Sequence, residues 1–295
     1  MIQFPETASG EPLAVSATLF VTYRACPQQA LGRLRGAFPA DSVASFKGSL
    51  AHRVFARHLV AGPIPDGDLP KVCREEIGAP DGHLNMRLGP LELGRPSRLA
   101  PVLAEVGDLY ARFKRFPSDG FLSAEVNLEA DVGGGVTLRG RVDAVFEDES
   151  GDPSIVDWKT GSWLEDTEPQ LAFYSLVWAL EHGALPVRAE AVSVQTGERH
   201  GIEPTADQAE QTASEVAAMV GTLRAAFASG DDLERRAGFR QVDCGSHETV
   251  HLPDACSGEP GHKCGSNDQD DGNTFHTRHS AIPLSANSLI TSRVT

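Results

Sequence analysis

The stretch Ile155-Val156-Asp157-Trp158-Lys159-Thr160-Gly161 decides how this chain is interpreted, because it sets an acid and an amine two residues apart in an otherwise apolar segment. Branched apolar residues closed off by a glycine are typical of a short buried strand. Since side chains alternate along a strand, Asp157 and Lys159 are expected on one face, roughly 7 Å apart along it, with Trp158 on the other. The pattern predicts a polar site built on a strand.

A second acid stands in the segment Gly140-Arg141-Val142-Asp143-Ala144-Val145, which has the same strand-like character. On a neighbouring strand, Asp143 would join Asp157 and Lys159 in one pocket for a divalent cation and a water. Magnesium is satisfied by one or two carboxylates together with water and phosphate oxygens. Phosphodiester hydrolysis needs such a cation and an oriented water, so we expect the aspartates as metal ligands and Lys159 beside the attacking water.

Length and composition narrow the class of protein. The chain has 295 residues, 40% of them hydrophobic, which is enough for one large domain or two small ones. Its 26 basic and 41 acidic residues give a formal net charge of -15, which argues against non-specific coating of nucleic acid but allows a local basic cleft. No apolar run reaches the roughly 20 residues of a membrane helix, and the first ten residues lack signal-peptide character. We expect a cytoplasmic protein with no membrane partner.

The periodicity of the apolar residues predicts a mixed α/β fold. Strand patterns cover residues 121–131, 136–146, 154–160 and 187–194, and helical patterns cover residues 17–25, 42–60, 97–116, 169–182 and 206–229. We divide the chain into an N-terminal helical region that includes the helix of His52, a core and a tail, at 1–120, 121–230 and 231–295. The tail is rich in glycine, aspartate, serine and histidine, and such a composition buries too little apolar area to be expected to order well.

Three further motifs, taken with the two strand segments, resemble the RecB-type branch of the PD-(D/E)XK nuclease superfamily, which includes CRISPR-associated exonucleases. They are Tyr23-Arg24-Ala25-Cys26-Pro27, Gly48-Ser49-Leu50-Ala51-His52 and Gln170-Leu171-Ala172-Phe173-Tyr174, and they follow one another in the order of that branch. The resemblance implies a restriction-endonuclease-like αβββαβ core and a Mg²⁺- or Mn²⁺-dependent DNA exonuclease of repair, recombination or defence. It also implies a helicase subunit as partner. The sequence has no phosphate-binding loop for ATP, so an ATP motor would belong to that partner.

The resemblance also implies roles for individual residues. Besides the two aspartates, the metal ligands would be His52, whose imidazole suits Mn²⁺ better than Mg²⁺, and the main-chain carbonyl of Trp158. Gln170 and Tyr174 are four residues apart on one helix face, and they would position DNA and the catalytic lysine. Glu125, on the preceding strand, could be a further acidic ligand, but its place on a strand favours the interpretation as a solvated residue.

The five cysteines are an odd number, so they cannot all pair within one chain. Some RecB-like nucleases hold an iron–sulfur cluster with one N-terminal and three C-terminal cysteines, which implies a [4Fe-4S] cluster on Cys26, Cys244, Cys256 and Cys264. The spacing of the last three departs from the tight local runs that cluster ligands usually form. Zinc held by cysteines and neighbouring histidines, or a tail without metal and a structural Cys26, are the alternatives.

Two other classes of function stay open from the sequence alone. One is a catalytically inactive nuclease fold that binds nucleic acid or scaffolds a helicase partner. The acidic balance favours this class, whereas the intact set of Asp143, Asp157 and Lys159 argues against it. The other is a metal or redox sensor built on the cysteines and histidines of the tail.

Overall fold

The protein is built around a mixed β-sheet with helices on both faces, which confirms the predicted α/β class. The computed structural model describes residues 2–65, 67–80, 83–162, 164 and 167–230, all within one compact unit. The described strands are β1 Leu13–Ser16, β2 Phe121–Asp131, β3 Val136–Glu147, β4 Pro153–Lys159, β5 Arg188–Ser193 and β6 Arg199–Ile202. The described helices are α1 Ala17–Ala25, α2 Pro27–Leu34, α3 Val43–Ala61, α4 Leu69–Gly78, α5 Leu84–Arg87, α6 Pro96–Phe113, α7 Glu168–His182 and α8 Ala206–Ser229.

Strand β3 lies at the centre of the sheet and brings the two acidic segments together. It pairs antiparallel with β2 along most of its length, parallel with β1, and antiparallel with β4. Strand β4 then pairs parallel with β5, and β5 pairs antiparallel with β6. The ladder between β3 and β4 ends at the pair Ala144–Val156. Asp143 and Asp157 are therefore the first residues beyond the last pair, at the point where the two strands separate.

Local signals set the ends of several helices. The hydroxyl of Ser16 accepts the N–H of Leu19 and caps α1, and the hydroxyl of Ser42 caps α3 in the same way. Thr205 and Gln208 form a capping box at the start of α8. None of the described helices is long and apolar enough to cross a lipid bilayer.

Apolar side chains form two buried clusters, one on each face of the sheet. Helices α1, α2, α7 and α8 supply the first cluster, and helices α3, α4 and α6 supply the second. Burial of one leucine or phenylalanine side chain stabilises a fold by roughly 1.5–3 kcal/mol, so the clusters fix the helices on the sheet. Along β4, Ile155 packs in the first cluster and Trp158 in the second. Asp157 and Lys159 lie two and four residues after Ile155, so they share its face of the sheet and project toward α7.

Several short elements were not predicted from the sequence. Strands β1 and β6 have four residues each, and helix α2 begins directly at Pro27, after α1 has ended. Helix α4 begins at Leu69, and α5 lies inside the stretch 78–96, where the sequence shows no helical pattern. Such short segments depend on tertiary pairing more than on their own periodicity. The tail, 231–295, lies outside the described residues, and the division of the chain at 120 and 230 stays a prediction.

Candidate active site

Asp143 is the centre of the site, because both of its oxygens have partners from other elements. Its Oδ1 lies 2.9 Å from Nδ1 of His52 on α3. Its Oδ2 accepts a hydrogen bond of 2.7 Å from the main-chain N–H of Trp158 on β4. Two strands and a helix therefore meet at one carboxylate.

Asp157 and Lys159 form an ion pair that Gln170 of α7 completes. The Nζ atom of Lys159 lies 2.6 Å from Oδ2 of Asp157 and donates to Oε1 of Gln170 at 2.7 Å. The amide nitrogen of Gln170 donates to Oδ1 of Asp157 at 3.3 Å and to the hydroxyl of Tyr174 at 2.8 Å. Strand β4 and helix α7 thus hold an acid, an amine, an amide and a phenol in one network.

One buried oxygen of this network has no hydrogen bond. Oδ2 of Asp157 is buried, and its close contact with Lys159 does not have the direction of a hydrogen bond. The charge of Lys159 offsets part of the cost of burying this oxygen, which accepts no hydrogen bond in the described structure. This oxygen is therefore a candidate ligand atom for a metal ion.

Glu125 is a third acid of the site, although its place on a strand had favoured a solvated residue. It falls opposite Asp143, between two regular pairs of the β2–β3 ladder, and its main chain is left-handed with a φ of 54°. Non-glycine residues with such a φ are uncommon, and the strain often accompanies a functional site. One ligand atom from each of His52, Glu125 and Asp143 lies within 4.8 Å of the other two.

The electrostatics of the site favour a bound cation. Burial, together with the charge of Asp143, raises the pKa of Glu125 and that of Asp157, where Lys159 opposes the effect. Burial disfavours the charged form of His52, but the charge of Asp143 and its hydrogen bond outweigh burial and raise the pKa of His52 to about 9. A nearby positive charge favours the ionised form of carboxylates whose pKa is raised by burial. A divalent ion bound at the site would supply that charge.

The available donor atoms suit a hard divalent metal ion. Carboxylate oxygens are the ligands that Mg²⁺ and Mn²⁺ prefer, and imidazole is accepted as well. Among the described residues, His52, Glu125 and Asp143 are the group that can hold the ion, and Oδ2 of Asp157, which accepts no hydrogen bond, is a further candidate ligand atom. The side chain of Trp158 points away, and its ring packs 5.1 Å from Phe113 on α6. The carbonyl of Trp158 as a ligand stays a prediction.

Two glycines allow the surrounding elements to approach the site. A Cβ atom on Gly140 would lie 3.1 Å from Cδ1 of the Tyr174 ring. A Cβ atom on Gly48 would lie 3.3 Å from Oγ1 of Thr160, the residue after Lys159. The absence of a side chain therefore lets α7 cover β3, and lets the helix of His52 reach the end of β4.

The cysteines predicted to hold a cluster are described only in part. Cys26 is half-buried at the junction of α1 and α2. Cys244, Cys256 and Cys264 lie outside the described residues. The cluster, and zinc as its alternative, therefore stay predictions, which the iron and zinc content of the purified protein would measure.

The strand ends and the α3 and α7 helices together form an arrangement that suits metal-dependent phosphodiester hydrolysis. A family model of the PD-(D/E)XK nuclease superfamily matches residues 14–246, which is more than half of the chain. The chain therefore belongs to the PD-(D/E)XK nuclease superfamily, whose nucleases bind nucleic acid and use divalent metal ions. The match leaves the RecB-type branch as a prediction.

Two other comparisons add little to this assignment. A solved structure described as "Crystal structure of SSO0001" aligns with 13% sequence identity and a TM-score of 0.27, over 69% of this chain and 84% of that chain. At that TM-score the likeness supports no conclusion about this protein. A comparison with curated proteins found no match.

Proposed function

We propose that the protein is a Mg²⁺- or Mn²⁺-dependent deoxyribonuclease that hydrolyses DNA from its ends. The observation that carries the proposal is the contact of Lys159 with Asp157 and Gln170. The site combines an amine, several acids and a histidine where two strands separate. Such a cluster does not by itself stabilise a core, because each buried charge costs free energy.

The metal ion would be held by His52, Glu125 and Asp143, with Asp157 completing the set on the side of Lys159. When bound, the ion would neutralise charge on the phosphoryl oxygens and make a water more acidic. The N–H of Trp158 holds Asp143 in place, since it donates to the oxygen that does not face His52. The orientation of the ligands is therefore set by the fold.

Lys159 has the geometry to orient the attacking water or a phosphoryl oxygen. An ammonium group has three N–H donors, and among the described residues Gln170 accepts one hydrogen bond from Lys159 while Asp157 forms an ion pair with it. A donor that Gln170 does not use can serve a group in the substrate. Its positive charge also offsets the negative charge that develops on the phosphoryl group in the transition state.

Gln170 and Tyr174 act as positioning residues for Lys159. The Gln170 amide bridges Lys159, Asp157 and the Tyr174 hydroxyl, so the ammonium group is fixed at two points. Burial and the charge of Asp157 raise the pKa of Tyr174. The phenol therefore stays protonated at neutral pH and serves as a hydrogen-bonding group.

A cleavage assay on labelled DNA tests this function. Linear and circular single-stranded DNA, linear duplex DNA and an RNA strand of the same sequence would be incubated with Mg²⁺, Mn²⁺ or EDTA. We expect linear DNA to be degraded in either metal and to persist in EDTA, with the circle and the RNA left intact. Asp143→Asn would abolish the degradation.

The same assay distinguishes the alternatives. Cleavage of the circle would replace exonuclease by endonuclease action, and equal cleavage of RNA would contradict the preference for DNA. No cleavage of any strand, with DNA and Mn²⁺ still bound, would favour the inactive nuclease fold. A helicase partner is supported by the resemblance to RecB-like nucleases, and co-purification of an ATP-hydrolysing subunit with the tagged protein would test it.

A further inference from the structure

A cavity of about 400 Å³ opens directly beside the metal-ligand group and carries three arginines. Its lining includes Arg53 of α3, Arg87 of α5 and Arg141 of β3. The same cavity reaches His52, Glu125 and Asp143, so it is continuous with the group that can hold the ion. We refer to it as the arginine cavity.

The first two arginines of the cavity are held in place by acids outside it. Arg53 pairs with Glu76 on α4 at 3.0 Å, and its side chain is only 15% exposed. Arg87 donates its Nε to Asp41 at 2.6 Å and its Nη1 to the hydroxyl of Ser49 at 3.0 Å. Fixed guanidinium groups lose little freedom when they bind a ligand, which favours affinity.

Arg141 differs from these two because it pairs with an acid of the metal site itself. Its guanidinium contacts Glu125, and its side chain is 53% exposed. Glu125 is also one of the three residues that can ligate the ion. An ion bound at Glu125 would compete with Arg141 for the Glu125 carboxylate. The guanidinium group of Arg141 would then be available to an anion other than Glu125.

We propose that the arginine cavity binds a phosphate group of the nucleic acid next to the bond that is cleaved. This inference rests on the proposed nuclease function and deepens it. Arginine is suited to phosphate because its planar donors match two oxygens at once. The protein as a whole carries a formal net charge of -15, so a polyanion needs local positive groups close to the metal to approach it.

The test compares two arginines of the same strand that differ in their relation to the cavity. Arg141→Gln removes a charge from the cavity. Arg139→Gln is the matched control, because Arg139 lies two residues earlier on β3, is 58% exposed and pairs with the exposed Glu129. Both variants lose one positive charge and one pair with a β2 glutamate. Cleavage kinetics and Mn²⁺ binding by calorimetry would be measured for both.

We expect Arg141→Gln to raise KM by at least about tenfold, the equivalent of one charge-assisted hydrogen bond. Arg139→Gln should change KM by less than about threefold, as for a screened surface charge. Mn²⁺ affinity of Arg141→Gln should equal or exceed that of the wild type. A weaker Mn²⁺ affinity would contradict the proposal, because Arg141 would then act through Glu125. Equal KM changes in both variants would contradict it as well.

Substrates with different ends identify the source of the phosphate. If the effect of Arg141→Gln disappears on strands without a 5′-phosphate, the cavity takes a terminal phosphate, and if it persists the cavity takes an internal one. Both results support the proposal. If the wild type cleaves normally and the two variants have the same KM, the phosphate-binding role of the arginine cavity is wrong, but the proposed nuclease function stands. A wild type that cleaves nothing overturns the proposed function instead.

Discussion

The Nζ atom of Lys159 lies 2.6 Å from Oδ2 of Asp157, two residues earlier on the same strand. The contact follows from strand geometry, since residues i and i+2 share a face. Gln170 then fixes the pair from the side of α7. The strand presents an acid and an amine together, and the fold adds the acids of β2 and β3 to them.

Replacement of Glu125 tests whether the left-handed residue belongs to the metal site. Glu125→Gln should weaken Mn²⁺ binding by at least about tenfold, because a charged oxygen ligand becomes a neutral one. Glu129→Gln is the matched control, since Glu129 lies on the same strand and is exposed beside Arg139. Calorimetry measures both affinities. Equal affinities in the two variants would exclude Glu125 from the site.

The affinity for Mn²⁺ should rise with pH. Without metal, the charge of Asp143 overcomes burial and raises the pKa of His52 to about 9, so His52 is protonated at neutral pH. A metal ligand must lose that proton, so below pH 9 each unit of pH should strengthen binding by up to about tenfold. Calorimetry at pH 6.5, 7.5 and 8.5 would measure this trend. In His52→Gln the slope should be smaller, and an unchanged slope would show that another group releases the proton.

Gly140→Ala should reduce activity without unfolding the protein. The new Cβ would lie 3.1 Å from the ring of Tyr174, so the ring must shift and carry Gln170 with it. Lys159 would then lose one of its two fixed contacts, and kcat should fall by about tenfold or more. Gly221→Ala on α8 is the control, because its Cβ would meet nothing within 4 Å. An unchanged kcat in Gly140→Ala would contradict the positioning role of Tyr174.

Stability should fall at acidic pH through His58, away from the site. The hydroxyl of Tyr110 accepts the N–H of Ile64 at 2.7 Å and lies 3.0 Å from Nδ1 of His58, so its own proton can be donated to a neutral imidazole. Burial, with the charge of Lys114, lowers the pKa of His58. The folded protein therefore binds fewer protons at this group than the unfolded chain does. This contribution is present above a pH of about 6.5 and is lost as the pH falls toward the lowered pKa.

Denaturant unfolding of the wild type and of His58→Gln at pH 7.5 and pH 5.5 would measure this contribution. The variant should lose less free energy of unfolding than the wild type between the two pH values, because its side chain does not titrate. Comparison of the two proteins removes the effect of the carboxylates, which titrate in both. Identical losses would contradict the assignment to His58.

Much of the fold could be predicted from the sequence because its main elements are long and locally marked. Ser16 and Pro27 delimit α1 at Ala17–Ala25, and α8 spans Ala206–Ser229, as the apolar pattern predicts. β1 and β6 were missed because four residues carry no clear periodicity, and pairing with a neighbouring strand holds them.

The candidate site was predictable where strand alternation decides it and not where long-range packing does. The contact of Asp157 with Lys159 needs only a strand. For Glu125 the sequence pattern favours a solvated strand residue, whereas the pairing of β2 with β3 brings it opposite Asp143. The place of Arg87 could not be predicted, because α5 falls in a stretch without a helical pattern and the tertiary fold brings Arg87 to the cavity.

The most direct measurement of the central claim is single-turnover cleavage of labelled DNA by Lys159→Ala in Mn²⁺. Lys71→Ala is the control, because Lys71 lies on α4 and is 75% exposed. We expect Lys159→Ala to cleave at least about a hundredfold more slowly than the wild type while it still binds Mn²⁺, and Lys71→Ala to cleave at the wild-type rate. Cleavage by Lys159→Ala at the wild-type rate would contradict the account.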